Sequence, residues 1–189
     1  MTVPNFSSSP AGSGPVASNA GGASPVTALR PPSASPLFLR EDEIRRGIEL
    51  LYFGYSAMVR GADAILAIED LGRAHHRALY FIARQPGLSV GDLLRLLAIT
   101  KQSLGRVLNE LQAKGLVEQS IGQTDRRQRL LRLTASGAAL ENRLFTELEA
   151  SMANAYREAG QQAVTGFWAV LMGLVPVADR SIVGALQGA

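Results

Sequence analysis

Residues 89–134 read SVGDLLRLLAITKQSLGRVLNELQAKGLVEQSIGQTDRRQRLLRLT. Ser89 is placed to cap a short apolar helical pattern that runs to about Leu97. Thr100 caps a second helix, in which Leu104, Val107, Leu108 and Leu111 recur at spacings of three and four and so share one buried face. Gly115 closes that helix as a left-handed C-terminal residue does. Residues 116–120 and 129–133 read as the two strands of a hairpin, joined by a polar loop, 121–128, that holds Gly122 and Asp125. Two helices, a strand, an arginine-tipped loop and a second strand within 46 residues give the order of a winged helix-turn-helix. Such a unit can place its second helix in a DNA major groove while the hairpin reaches the adjacent minor groove.

Outward from this stretch the chain is helical. Upstream, Ile44, Ile48, Leu51, Tyr52 and Tyr55 form a stripe that predicts a helix over 37–60, weakened at Gly47 and Gly54. A further helix is expected from about Gly72 to Arg84, ended by Gln85-Pro86-Gly87. Downstream, Thr134 caps a long helix with Leu140, Leu144 and Leu148 four residues apart, interrupted at Gly160 and followed by a last helix over 161–175. The uncharged run 159–178 has an apolar heart of only Phe167 to Val175, too short for a membrane span. Burial between two subunits explains it better. Residues 1–36 consist mainly of Ser, Ala, Gly and Pro with almost no large apolar side chains, and read as a disordered tail; a start codon assigned too far upstream is the alternative. The expected organisation is thus a tail at 1–36, a domain at 37–178 whose winged helix-turn-helix lobe spans 72–133 between dimerisation helices at 37–60 and 134–178, and a C-terminal tail at 179–189. The fold class is mainly α with a small β-hairpin.

The net charge of +3 conceals an uneven division. Residues 89–133 carry eight basic side chains (Arg95, Lys101, Arg106, Lys114, Arg126, Arg127, Arg129 and Arg132) against four acids, whereas 41–88 and 134–189 are both net negative. A basic block confined to the helix-turn-helix and hairpin is the footprint of nucleic-acid binding, with a solvated basic face as the bland alternative. The chain has no cysteine, which excludes disulfides, thiolate metal sites and thiol redox switching. It offers no nucleophile motif, no glycine-rich phosphate loop and no carboxylate cluster, so neither an enzyme nor a cofactor is expected. The first residues lack a basic segment followed by an apolar core, and a cytoplasmic location is expected.

Candidate DNA contacts follow from the second helix and the wing. Lys101, Gln102, Gly105, Arg106 and Asn109 lie off the buried stripe; Gln and Arg can bond base edges, Lys101 and Ser103 can hold phosphates, and Gly105 lets the backbone come close. Thr100 belongs with them as the cap. The wing tip Thr124-Asp125-Arg126-Arg127 sets two like charges side by side, an arrangement that a minor groove relieves. Asp125 is expected to orient one arginine through an ion pair while the other enters the groove; Arg127 is assigned to the groove, with Arg126 as the alternative. His75 and His76 are adjacent and so point about 100° apart on a helix, which suits a structural role better than a shared metal ion.

These residues bring the chain close to a known family. It resembles the MarR-type winged-helix transcriptional regulators from about residue 44 to about residue 175. The resemblance rests on Ser103-Leu104-Gly105-Arg106-Val107-Leu108, Leu111-Gln112-Ala113-Lys114-Gly115-Leu116-Val117, Asp125-Arg126-Arg127, Leu133-Thr134 and Gly137. The segment Leu71-Gly72-Arg73-Ala74-His75-His76-Arg77 is similar to a bacterial subgroup. The resemblance implies a homodimer paired through its first, fifth and sixth helices, with two lobes meeting successive major grooves of double-stranded DNA at a near-palindromic operator. It further implies a regulator, more often a repressor than an activator, under the control of a small-molecule effector. For a pocket between dimer region and lobe, Tyr52, Tyr55, His76, Arg77 and Tyr80 are the candidate lining, and core packing is the competing reading. The cysteine-based peroxide sensing of some relatives is excluded here. A protein-interaction module without specific DNA binding is the alternative function.

Overall fold

The computed structural model describes residues 35–123 and 125–187; the expected tail at 1–36 falls almost wholly outside them, and Thr124 does so too. Two units are distinguished, residues 1–40 and 41–189. In the first, Ser35 caps a single 3-10 turn, Pro36–Leu39, its hydroxyl accepting from the Leu37 N–H at 3.4 Å. The helix expected over 37–60 is therefore shorter than those bounds, though it holds the whole apolar stripe from Ile44 to Tyr55. It begins at the acidic triplet Glu41, Asp42 and Glu43, which the positive end of a helix dipole favours.

The second unit contains α1 (Glu41–Met58), α2 (Arg60–Ile68), α3 (Arg73–Arg84), β1 (Leu88–Ser89), α4 (Val90–Leu97), α5 (Lys101–Ala113), β2 (Val117–Ile121), β3 (Arg129–Leu133), α6 (Ala135–Leu174) and α7 (Arg180–Gln187). Helix α2 and strand β1 were not expected from the sequence. Helix α2 buries only Ala62 and Leu66, and no side chain caps its start. Strand β1 pairs antiparallel with β3, Leu88 opposite Leu131, so the hairpin is part of a three-stranded sheet ordered β1-β3-β2. In the hairpin itself Val117 faces Leu133 and Ile121 faces Arg129. Helix α7 occupies most of the expected C-terminal tail, and Arg84 of α3 donates to its Leu186 carbonyl.

The core is a leucine-rich cluster whose fully buried members include Leu66, Leu79, Leu93, Leu104, Leu131 and Leu144. It joins α2 through α5, the sheet and the first half of α6. The start of α6 is fixed by a compact junction. Thr134 Oγ1 accepts from the Gly137 N–H at 3.0 Å and donates to the Gly115 carbonyl at 2.6 Å. A Cβ on Gly137 would lie 1.9 Å from the Leu116 carbonyl oxygen, so only glycine lets the helix sit this close to the end of α5. Gly160, at φ 79°, breaks α6 where the sequence placed its interruption. Helix α1 buries no side chain within the chain, and beyond Gly160 Phe167, Trp168, Val170 and Leu174 are all exposed. Among the described residues no single helix is long and apolar enough to cross a membrane.

Candidate nucleic-acid interface

Helix α5 is set by its cap and its buried stripe. Thr100 Oγ1 accepts from the Ser103 N–H at 3.1 Å and lies 2.8 Å from the Ser103 hydroxyl, so both hydroxyls serve the helix start. With Leu104, Val107, Leu108 and Leu111 in the core, Lys101, Gln102, Ser103, Arg106 and Asn109 are left exposed. Nothing lies within 4 Å of a Cβ built on Gly105, so the fold itself does not demand glycine there. The turn into α5 passes through Ala98 in the left-handed region at φ 50°. Arg77 donates to the Leu97 carbonyl at 2.8 Å, one of the carbonyls that the end of α4 leaves without a partner.

At the wing, three hydrogen bonds shape the tip. The Gly122 N–H donates to the Gln128 carbonyl at 3.0 Å, the Gln128 N–H to the Asp125 carbonyl at 3.0 Å, and the Arg127 N–H to Asp125 Oδ1 at 2.9 Å. The expectation that Asp125 holds an arginine by an ion pair is corrected by the last of these. Its carboxylate caps a backbone N–H two residues on, the local bond that makes aspartate a turn residue. Arg126 and Arg127 are both exposed, and among the described residues neither has an acidic partner.

All eight basic side chains of residues 89–133 are exposed. Arg95 is paired with Asp92, whose carboxyl is held below its ordinary range first by the Ser89 hydroxyl and also by Arg95. Sequence reasoning missed a pair that ties α5 to the start of α3. His75 Nδ1 accepts from the Gly72 N–H at 3.0 Å, and its Nε2 lies 2.8 Å from Glu110 Oε2. The two partners are 35 residues apart, and no local pattern announces them.

A model of the MarR family matches residues 69–128. The HTH-type transcriptional regulator PetP of Rhodobacter capsulatus is 48% identical over 144 residues, which cover 76% of this chain and 87% of that protein. The chain belongs to the MarR family of transcriptional regulators. Its fold is shared with a mutant MarR from E. coli complexed with operator DNA, at a TM-score of 0.57 and 23% identity over 75% of this chain and 100% of the other. A MarR-family transcriptional regulator from Silicibacter pomeroyi matches at a TM-score of 0.60 and 22% identity, over 76% and 98% of the two chains.

In this MarR-family chain the five candidate pocket residues do not share one cavity. Tyr52 is 73% exposed on α1, and Tyr55 lies under the Arg73 guanidinium, 5.8 Å from its ring centre. His76 is buried, which pushes its imidazole below the ordinary value, while Arg77 is committed to Leu97. Only Tyr80 of the five lines a cavity among those described, one of about 350 Å³ that it shares with Met58, Phe145, Leu148 and Tyr156, and a second of about 430 Å³ against α4 and α7. Helical geometry explains the scatter: neighbours on α3 diverge by about 100°, and α1 turns its tyrosines away from the core.

Proposed function

We propose that this MarR-family regulator binds double-stranded DNA as a homodimer, each lobe setting α5 into a major groove and its wing into the flanking minor groove of a near-palindromic operator. The observation that carries this reading is the wing tip, where Arg126 and Arg127 stand exposed and, among the described residues, without acidic partners on a turn that Asp125 has already shaped. Two unpaired neighbouring guanidinium groups repel each other in water and gain from the negative potential of a narrow minor groove. On α5, Gln102, Arg106 and Asn109 are assigned to base edges, Lys101 and Ser103 to phosphates, Thr100 to the cap that aims them, and Gly105 to close approach.

The pairing surface is assigned to α1 and the far part of α6. Ile44, Ile48, Leu51 and Tyr55 on α1, and Phe167, Trp168 and Leu174 beyond Gly160, are large apolar side chains that one chain leaves exposed. Exposed apolar area on this scale marks an association site, and a symmetric pair would cover it while spacing the two lobes. In the domain scheme, 72–133 is the DNA-binding lobe and 37–60 with 134–178 the dimer region. We place effector control at the 350 Å³ cavity beside Tyr80, where a small apolar molecule would touch α1, α3 and α6 together. Repression is the mode assigned, since a protein clamped across a promoter blocks access to it.

A mobility-shift titration with the DNA upstream of the protein's own gene, against random duplex of equal length, tests the proposal. Preference for the upstream DNA is expected. Equal retardation of both duplexes would reject operator recognition at that promoter, and no retardation of either would favour a protein-interaction module.

A further inference from the structure

The His75 imidazole joins two groups that no other described contact joins. Its Nδ1 receives the Gly72 N–H, so the ring hydrogen sits on Nε2 and is donated to Glu110 Oε2 at 2.8 Å. The His75 side chain is 12% exposed, whereas Glu110 is 46% exposed on the outer side of α5. Glu110 lies four residues after Arg106, the separation at which opposite charges on a helix pair. Arg106 nevertheless has no acidic partner among the described residues. The carboxylate that is best placed to neutralise it is turned instead toward the start of α3, where the helix dipole also favours a negative charge.

We infer that His75 is a positioning residue for DNA binding: it sequesters the Glu110 carboxylate and so keeps the Arg106 guanidinium available to the duplex. The inference rests on the assignment of α5 as the DNA-reading helix. Released from His75, Glu110 pairs with Arg106 and also presents an anion toward the phosphates. The loss of binding therefore comes from Glu110, and removing its charge cancels it. A histidine that served only to hold the fold together would show no such cancellation.

The test uses the full chain, a fluorescent duplex carrying the upstream DNA, and anisotropy titrations at several salt concentrations. His75→Ala is expected to weaken binding roughly tenfold, the size of coupling seen between groups in direct contact. Its preference for the upstream duplex over random duplex should also narrow at every salt concentration, because Arg106 no longer meets its base edge. Glu110→Gln should bind at least as tightly as the parent, and His75→Ala/Glu110→Gln should recover most of the loss. A double variant as weak as His75→Ala, or weakened binding by Glu110→Gln alone, overturns the inference; the second arm decides even where His75→Ala fails to fold. Nitrogen-15 NMR of the DNA-free protein should show the Nε2–H form of His75, and the opposite tautomer overturns the geometry without reference to DNA. A parent protein that binds no duplex would instead remove the DNA reading itself.

Discussion

Asp125 Oδ1 accepts the Arg127 N–H at 2.9 Å, so the carboxylate at the wing tip builds the turn instead of neutralising the arginines beside it. Asparagine keeps an Oδ1 acceptor at the same place, whereas alanine does not. Asp125→Asn should hold duplex affinity within a few-fold of the parent or raise it, and Asp125→Ala should weaken it. Anisotropy titrations of the two variants check this. Equal losses in both would mean that the negative charge itself is needed.

The junction between α5 and α6 is predicted to be intolerant of a single methyl group. Gly137→Ala sets a Cβ 1.9 Å from the Leu116 carbonyl oxygen. Displacing α6 to relieve that contact should cost about 1–3 kcal/mol, and removing the cap in Thr134→Ala about 1 kcal/mol. Urea unfolding followed by circular dichroism measures both. A Gly137→Ala protein as stable as the parent would show that the junction yields more easily than this geometry states.

Much of this arrangement is legible in the sequence because it is local. The cap residues Ser89, Thr100 and Thr134, the leucine stripe of α5 and the hairpin strands all announce themselves within a few positions, and each is found in its expected element. What escaped is nonlocal or uncapped. Leu88 becomes a strand residue only by meeting Leu131, and His75 acquires its partner only when α5 folds beneath α3. Helix α2 hides because no capping side chain announces its start and only two of its residues, Ala62 and Leu66, are buried. The role of Asp125 was within reach: an aspartate in a tight turn commonly bonds a backbone N–H two residues on, and the ion-pair expectation overlooked that nearer donor.

Acid should destabilise the fold through His76. Burial pushes its imidazole below the ordinary value of 6.5, against a smaller upward pull from Asp63. The unfolded chain then binds the proton more readily than the folded one, so this stability is present above the unfolded value and is lost as pH falls through the folded one. The urea midpoint should drop as pH is lowered from about 7 to about 5.5, across the ordinary histidine range. His76→Gln should reduce that drop, and an unchanged pH dependence in the variant would assign the effect to other groups.

Association should depend on the open face of α1. Ile48 lies midway along that helix and is exposed within the single chain. Ile48→Asp places a charge in the proposed seam, where burial without a partner is costly. Multi-angle light scattering should give a dimer for the parent and a monomer for the variant, with a lobe that remains folded by circular dichroism. A variant that stays dimeric would move the seam elsewhere.

The most direct measurement is the affinity for the upstream duplex, titrated at stepped salt concentrations for the parent and for Arg127→Ala. Binding that weakens steeply with salt, together with a loss on the order of 1–3 kcal/mol in the variant, is the predicted result. Affinity that is indifferent to salt and unchanged by Arg127→Ala would contradict the account of α5 and the wing as a DNA reader.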